Sequence, residues 1–433
     1  MLARNITEPP QHGEPRARMV TRFSILGAGM VGVCCAISLQ RRGYAVTLID
    51  RKAPGCETSF GNSGVFSRSS VFPINGPGLL RHLPAYAGNR HPAVRWRSSI
   101  LARPRWIARF LRECTVASVA RRSAALDALI DLSMDLNRRL IADAGLTVHL
   151  RETGWLKIWR TQHGVAAARS EAAALAPFGI ETQVLEPDEI AQLEPGAARA
   201  FTAGLLIAGS ASVDDPGDVV AGYAEHFRAQ GGVVLQAEVR ALYRTTTGWR
   251  VEATAATHDA DEVVIALGPW SADLLRPLGF NVPLGFERGY HVHLAMPAHG
   301  GPQRAIHDVD GGYVVSPMRS GARVTSGVEL AARDALPSYG QIDRAARLAA
   351  ATFGLGARAE ATPWLGARPT LPDSLPMIGV IPGAHGLHAA FGHQHIGFST
   401  GAGTGEIIAA TMAGEPAPID AAAFAPGRFG ASA

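Results

Sequence analysis

From Arg22 onward the chain alternates short apolar runs with turn residues and stretches of helical spacing. Phe23, Ser24, Ile25 and Leu26 form a brief apolar strand that runs into Gly27-Ala28-Gly29-Met30-Val31-Gly32. Helix-forming residues continue to Gln40, Gly43 stops them, and Ala45-Val46-Thr47-Leu48-Ile49 makes a second strand ending on Asp50. Further on, Asp218 to Ala229 has amphipathic helical spacing, while Val233 to Gln236 and Trp249 to Ala253 have the pattern of strands. Tyr313-Val314-Val315-Ser316-Pro317 and Arg323-Val324-Thr325-Ser326-Gly327 read as a hairpin joined at Arg319-Ser320-Gly321. Around Ala350 the sequence is too alanine-rich to set element boundaries.

The order strand, glycine turn, helix, strand, acid assigns a task to each residue type. Gly27 permits the tight turn, Gly29 lets backbone approach a pyrophosphate, and Gly32 lets the helix sit close to the strand. The helix opening at Met30 and Val31 offers unpaired N–H groups and its positive dipole end to phosphates. Asp50, 23 positions after Gly27, is placed to accept hydrogen bonds from ribose hydroxyls, with Arg51 beside it. The fingerprint does not separate NAD from FAD. The next run, Glu57-Thr58-Ser59-Phe60-Gly61-Asn62-Ser63-Gly64, has no apolar periodicity and is rich in small polar residues. Ser59, Asn62, Ser63 and Gly64 would supply close hydroxyl and backbone donors to a long cofactor continuing past its pyrophosphate; the plainer reading is a surface loop.

Length and composition fit this picture. The 433 residues are 47% hydrophobic, enough for a large core in two interleaved domains, and the 48 glycines and 28 prolines are spread as turns. Net charge is only +4, and Lys52 and Lys157 are the only lysines, so nothing suggests a nucleic-acid footprint. The densest basic stretch, Arg90 to Arg122, also carries Trp96, Trp106, Ile107, Phe110 and Leu111. It reads as a solvated amphipathic helical region, with peripheral contact to the inner face of an anionic membrane as the sharper alternative. Cys34, Cys35, Cys56 and Cys114 show neither CxxC spacing nor a metal-binding grouping, which favours a reduced cytoplasmic setting. Residues 1–21, with Pro9, Pro10 and Pro15, read as a loose tail, with Met19 as an alternative start. No run of about 18 apolar residues follows to span a bilayer. The sequence carries no sign of oligomeric state.

Three later segments, together with the Glu57–Gly64 run, make the chain resemble the D-amino acid oxidase superfamily, and most closely its bacterial D-amino acid dehydrogenases. They are Asp261-Glu262-Val263-Val264-Ile265-Ala266-Leu267-Gly268-Pro269-Trp270-Ser271, the signature Gly366-Ala367-Arg368-Pro369-Thr370-Leu371-Pro372-Asp373-Ser374-Leu375-Pro376-Met377-Ile378-Gly379, and Gly392-His393-Gln394-His395-Ile396-Gly397-Phe398-Ser399 with Gly401-Ala402-Gly403-Thr404-Gly405. The likeness spans roughly Arg22 to Phe429. It implies an α/β protein with a discontinuous Rossmann-like FAD-binding domain, expected at 22–105, 200–285 and 365–433. An α+β substrate domain on an antiparallel sheet is expected at 106–199 and 286–364. Val239, Gly268, Trp270, Gly392, His393, Gly397, Phe398 and Ser399 then join the cofactor site, and the last glycine-rich segment is expected to close over the flavin. FAD is expected to be noncovalent, because relatives with attached flavin use a cysteine in the C-terminal half and Cys114 is the last one here.

The implied reaction is hydride transfer from the α carbon of a small D-amino acid to flavin N5, giving an imino acid that hydrolyses to a 2-oxo acid. Flavin takes the hydride, so the protein's first duty is to hold and aim the substrate. Arg368 matches the family's carboxylate-binding arginine, whose planar fork suits a bidentate grip; the plainer reading pairs it with Asp373 or Asp308. Tyr313 matches a family tyrosine that touches the same carboxylate, and otherwise packs. His395 stands where glycine oxidases carry an arginine beside the flavin, and otherwise serves only its loop; His393 is expected to hold that loop. Val309 replaces a tyrosine of some eukaryotic oxidases, and Arg288-Gly289-Tyr290 is a further candidate for the pocket wall. Electrons would pass to oxygen or to a quinone; with no lysine after Lys157 to serve oxygen, the quinone reading is favoured. D-Proline, a hydroxy-D-proline or sarcosine is an alternative substrate. A non-catalytic FAD-binding subunit is a reading of another class, opposed by the presence of Arg368 and Tyr313, and an NAD-dependent dehydrogenase is a third.

Overall fold

The computed structural model describes residues 20–430 apart from 82–85, 87, 198–199 and 255. Most of the tail expected at 1–21 therefore lies outside the described residues.

Six strands form one sheet in the order Val233–Gln236, Ala45–Asp50, Arg22–Leu26, Glu262–Ile265, Leu387–Phe391, Met377–Val380; all neighbours are parallel except the last pair. Its central strand has Phe23, Ile25 and Leu26 all at most 2% exposed, as a strand covered on both faces requires. The helix Met30–Gln40 follows the glycine turn as expected. Gly32 makes its close approach possible, since a Cβ there would lie 1.8 Å from the Gly27 carbonyl oxygen.

The C-terminal helix Gly397–Ala413 packs on this first helix and on the long helix Val116–Asp143. Its glycines are contact points: a Cβ at Gly405 would sit 2.6 Å from the Cys34 carbonyl oxygen, and one at Gly403 would meet Ser133 Oγ at 2.3 Å. Glycine in a helix interior costs roughly 0.5–1 kcal/mol relative to alanine, which helix packing at such short range offsets. Gly401, Gly403 and Gly405 therefore serve helix packing, and do not close over a cofactor as the sequence reading had it.

Behind the nucleotide-type sheet's edge lies a second, ten-stranded sheet. Its main path runs Val94–Trp96, Val328–Leu330, Gly285–Leu294, Gly321–Ser326, Tyr313–Met318, Ile306–Asp308, Trp155–Trp159, Ala203–Ile207, Thr182–Leu185, and Trp364–Thr370 pairs with Gly285–Leu294 off this path. Pairing is antiparallel except at two places, Ile306–Asp308 with Trp155–Trp159 and Val328–Leu330 with Val94–Trp96. The expected hairpin is present, its turn narrowed to Arg319 and Ser320. The helix Gly340–Phe353, which covers the alanine-rich stretch, packs against one face of this sheet.

The interleaving is finer than the expected domain boundaries. Val94–Trp96, Ala203–Ile207 and Trp364–Thr370 were placed wholly or mostly with the FAD domain, yet each is hydrogen-bonded into the ten-stranded sheet. Conversely Val116–Asp143, assigned to the substrate domain, hydrogen-bonds to the C-terminal helix: Asn137 Nδ2 donates to the Ser399 carbonyl at 2.7 Å. The basic stretch 90–122 is likewise mixed, a strand Val94–Trp96 followed by the helix Pro104–Arg112, whose Trp106 is buried. Among the described residues no helix is long and apolar enough to cross a membrane, and no group of His, Cys, Asp and Glu is arranged to hold a metal ion.

Candidate active site

A cavity of about 730 Å³ is lined by residues of both sheets. At its nucleotide end are Gly27, Gly29, Met30, Val31, Asp50 and Arg51. Gly27 has φ +107°, a conformation open to glycine, and its N–H donates to the Ile49 carbonyl at 2.8 Å. Asp50 accepts from the Ala28 N–H at 2.7 Å and the Lys52 N–H at 3.0 Å, so the acid braces the glycine turn as well as facing the cavity. Burial pushes its carboxyl above the usual range. Arg51 is ion-paired to Glu57 at 2.7 Å and lies 4.0 Å from the Trp270 ring centroid; Trp270, Gly268 and Val239 complete this end.

The Glu57–Gly64 run forms the next part of the wall. Ser59 Oγ accepts from the Met30 N–H at 3.0 Å and so stands over the helix N-terminus. Ser59, Asn62 and Ser63 line the cavity, whereas Gly64 lies behind it: its φ is +74°, and its carbonyl accepts from the Val213 N–H at 2.7 Å. Gly64 is thus a turn residue and not a cofactor contact, and Gly32 acts only through helix packing. The segment is clamped from the other sheet by Arg323, which the sequence reading passed over. Buried to 2% exposure, Arg323 donates to the Phe60 and Asn62 carbonyls at 2.7 Å each, and its Nε reaches His293 Nε2 at 3.0 Å. Periodicity marked Arg323 as a strand residue, but its partners lie 263 and 261 positions away.

Toward the C-terminus, Gly392, His393, Gly397, Phe398 and Ser399 also line the cavity. His393 Nε2 meets Thr404 Oγ1 at 2.9 Å and ties the loop to its helix; burial pushes this imidazole down to about 3. Ser399 Oγ donates to the Val65 carbonyl and accepts from the Ser67 N–H, both at 3.2 Å. The buried Gln394 amide Nε2 has no partner among the described residues. The turn, the acid and this unsatisfied donor fit an elongated dinucleotide with polar groups along its length.

Arg368 lines the cavity from the strand Trp364–Thr370, opposite Glu287 across the ladder. Its guanidinium lies over Gly289, where a Cβ would come within 2.4 Å of Nη2. Asp308 is taken by Arg160 and Asp373 by Arg428, each at 2.6 Å, so neither acid is the partner of Arg368. Among the described residues none accepts a hydrogen bond from it. Burial pulls the guanidinium's pKa down, and the Glu287 charge acts against that; burial pushes the Glu287 carboxyl up. Glu287 Oε1 accepts from Thr370 Oγ1 at 2.8 Å, while Oε2 has no partner among the described residues. Of Arg288-Gly289-Tyr290, only the glycine faces the cavity; Arg288 and Tyr290 turn to Glu329 on the other face.

Tyr313 does not reach the site. Alternation along its strand points Val314 into the cavity and sends Tyr313 into the core against the helix Gly340–Phe353, near Asp308 and Thr352. His395 does project into the cavity, exposed to its interior. Burial beneath the protein surface, then the Arg368 and Lys157 charges, push its imidazole down to about 4, so it is neutral at ordinary pH. Lys157 also lines the cavity, paired with Glu171. The cavity wall thus carries a lysine, although none follows position 157.

A nucleotide-type sheet and an antiparallel substrate sheet sharing one cavity define a two-domain flavoprotein oxidoreductase. The chain belongs to the family of FAD dependent oxidoreductases, whose model matches residues 22–411, and it is an FAD-dependent enzyme. It is 31% identical to a D-amino-acid oxidase of Bradyrhizobium diazoefficiens, over 94% of this chain and 98% of that protein. It is also 31% identical to a D-amino acid dehydrogenase of Cereibacter sphaeroides, over 93% and 94%. The fold is similar to that of glycine oxidase from Geobacillus kaustophilus, with a TM-score of 0.72, 21% identity, and 94% and 99% of the two chains covered.

Proposed function

We propose that this enzyme oxidises a small D-amino acid at the carbon bearing its amine. The observation that carries the reading is the Arg368 guanidinium, half-buried on the cavity wall with no acceptor among the described residues and with its fork over Gly289. A cation left unpaired at such depth is costly unless a ligand supplies the anion, and a carboxylate matches the fork bidentately. Names of the similar proteins support an amino-acid substrate.

FAD, when bound, supplies the acceptor for the hydride and its two electrons. The protein's part is to position: Gly27, Gly29, the Met30–Gln40 helix and Asp50 would hold the dinucleotide, and the Arg323-clamped segment would flank its far end. Arg368 fixes the substrate carboxylate and with it the direction of the Cα–H bond. Neutral His395 and the partnerless Glu287 oxygen leave the amine beside groups that accept hydrogen bonds and do not repel it. A cysteinyl link to the flavin is excluded, since none of the four cysteines lines the cavity, and noncovalent attachment is expected.

The test is an anaerobic screen of D-, L- and N-methyl amino acids for loss of flavin absorbance, which D-amino acids should cause. Return of colour on air alone marks oxygen as acceptor, and return only on adding a quinone marks a dehydrogenase. Bleaching by N-methyl or cyclic amines in preference to primary ones would move the assignment to secondary amines.

A further inference from the structure

Lys157 and Glu171 face one another across the cavity wall, one on the strand Trp155–Trp159 and the other on the helix Gly164–Leu175. Their side chains form an ion pair and remain 19% and 24% exposed, which places them neither in the core nor on the outer surface. Strand pairing sets Lys157 in one cross-strand row with His307, Val314, Thr325 and His291. All but His291 line the cavity. The row starts on the strand that carries Gly289, under the Arg368 guanidinium, and reaches Lys157 four strand spacings later, about 19 Å along the curved sheet. His395 lines the same cavity as Arg368 and Lys157. His307, with its imidazole pushed down to about 3 by burial and then by Lys157, adds no charge.

We propose that Lys157 and Glu171 form the end of a side-chain subsite for a neutral, hydrogen-bonding side chain, best matched by a carboxamide. This rests on the reading above that the substrate is an amino acid held by its carboxylate on Arg368. A carboxamide presents an acceptor to the ammonium and a donor to the carboxylate, so it joins the pair without breaking it. A carboxylate side chain must compete with Glu171 for the same cation and leaves two like charges together. An apolar side chain of the same length covers the pair's remaining donors and acceptors without satisfying them. Glycine and alanine carry no side-chain donor or acceptor to offer the pair.

The test is anaerobic reduction of the FAD-replete enzyme by D-glutamine, D-glutamate and D-methionine, read as ratios of rate constants at low substrate concentration. Ratios on one preparation are independent of its active fraction, so partial misfolding of a variant does not blur them. Wild type should favour D-glutamine over each of the others by about tenfold or more, as a site built to hydrogen-bond its substrate does. Glu171→Gln frees the lysine's charge, and the D-glutamine to D-glutamate ratio should fall by about tenfold or more. Lys157→Met should remove the preference for D-glutamine over D-methionine. Equal use of the three substrates by wild type, or a D-glutamine to D-glutamate ratio within about twofold of wild type in Glu171→Gln, overturns the subsite. If D-alanine still bleaches the flavin in that case, the amino-acid reading stands; if no D-amino acid bleaches it, both fall.

Discussion

Arg368 has its fork over a glycine and no acceptor of its own, so removing it and crowding it should have separable effects. Arg368→Leu deletes a charge-assisted pair, and losses on the order of 2–5 kcal/mol are typical when a buried charge loses its partner. kcat/KM should fall by roughly 30-fold to several thousand-fold at about tenfold per 1.4 kcal/mol. Arg368→Lys keeps the charge but loses the fork, and should recover activity only in part. Flavin content should be unchanged in both, and the leucine change should hurt an amino acid far more than its decarboxylated amine; equal losses would make Arg368 structural. Gly289→Ala places a methyl 2.4 Å from Arg368 Nη2. Displacing the fork by about 1 Å can cost on the order of a hundredfold, and steady-state kinetics should show a loss of kcat/KM of at least tenfold. At this scale Arg368 was legible as a site candidate through the Gly366–Gly379 signature, and it lines the cavity. Tyr313 was not, since a one-residue difference in strand parity separates the cavity from the core. Arg323 escaped notice as a clamp because its partners come from a distant segment, and nothing in the sequence showed that the strand bearing Lys157 lines the cavity.

The glycine turn and its helix were legible as a unit, because each glycine answers a separate steric demand. Those demands distinguish two variants. Gly29 lines the cavity, with space for a Cβ limited by Ser59 Oγ at 3.2 Å, so Gly29→Val should give folded protein that purifies without yellow colour. Full flavin in that variant would mean the phosphate site is misplaced. Gly32→Val instead drives a side chain into the Gly27 carbonyl and should impair folding itself, read as loss of soluble protein and not only of absorbance. The Gly401–Gly405 run shows the limit of this reading. A glycine that admits a cofactor and one that admits a neighbouring helix look identical in sequence, and only the packing of three helices separates them.

Across the whole molecule, the two-domain plan was legible in the order of motifs, while the crossings were not, because short strands such as Val94–Trp96 acquire a sheet only through remote pairing. The same depth of burial sets the response to acid. His291 and His393 are 2% and 3% exposed, and burial holds them at about 2 and about 3. Their folded values lie below the unfolded histidine value of about 6.5, so the stability they contribute is present above that pH. It is lost as pH falls, by up to about 1.4 kcal/mol per pH unit for each group. Raised carboxyls such as Asp50 and Glu287 act the other way on acidification, and the histidine effect is read from about pH 7.5 to 5.5, around the unfolded histidine value. Calorimetry of FAD-replete protein at fixed ionic strength should show Tm falling steadily across it, and a flat or rising Tm would contradict this.

The most direct measurement is an anaerobic titration of the purified yellow protein with both enantiomers of one small amino acid, followed by flavin absorbance and by acid precipitation of the same sample. The D-enantiomer should bleach the flavin and the L-enantiomer should not, and acid should release all the colour into the supernatant. Bleaching by the L-enantiomer alone, or by neither, would contradict the assignment of a D-amino acid held on Arg368, and colour left in the pellet would contradict noncovalent FAD.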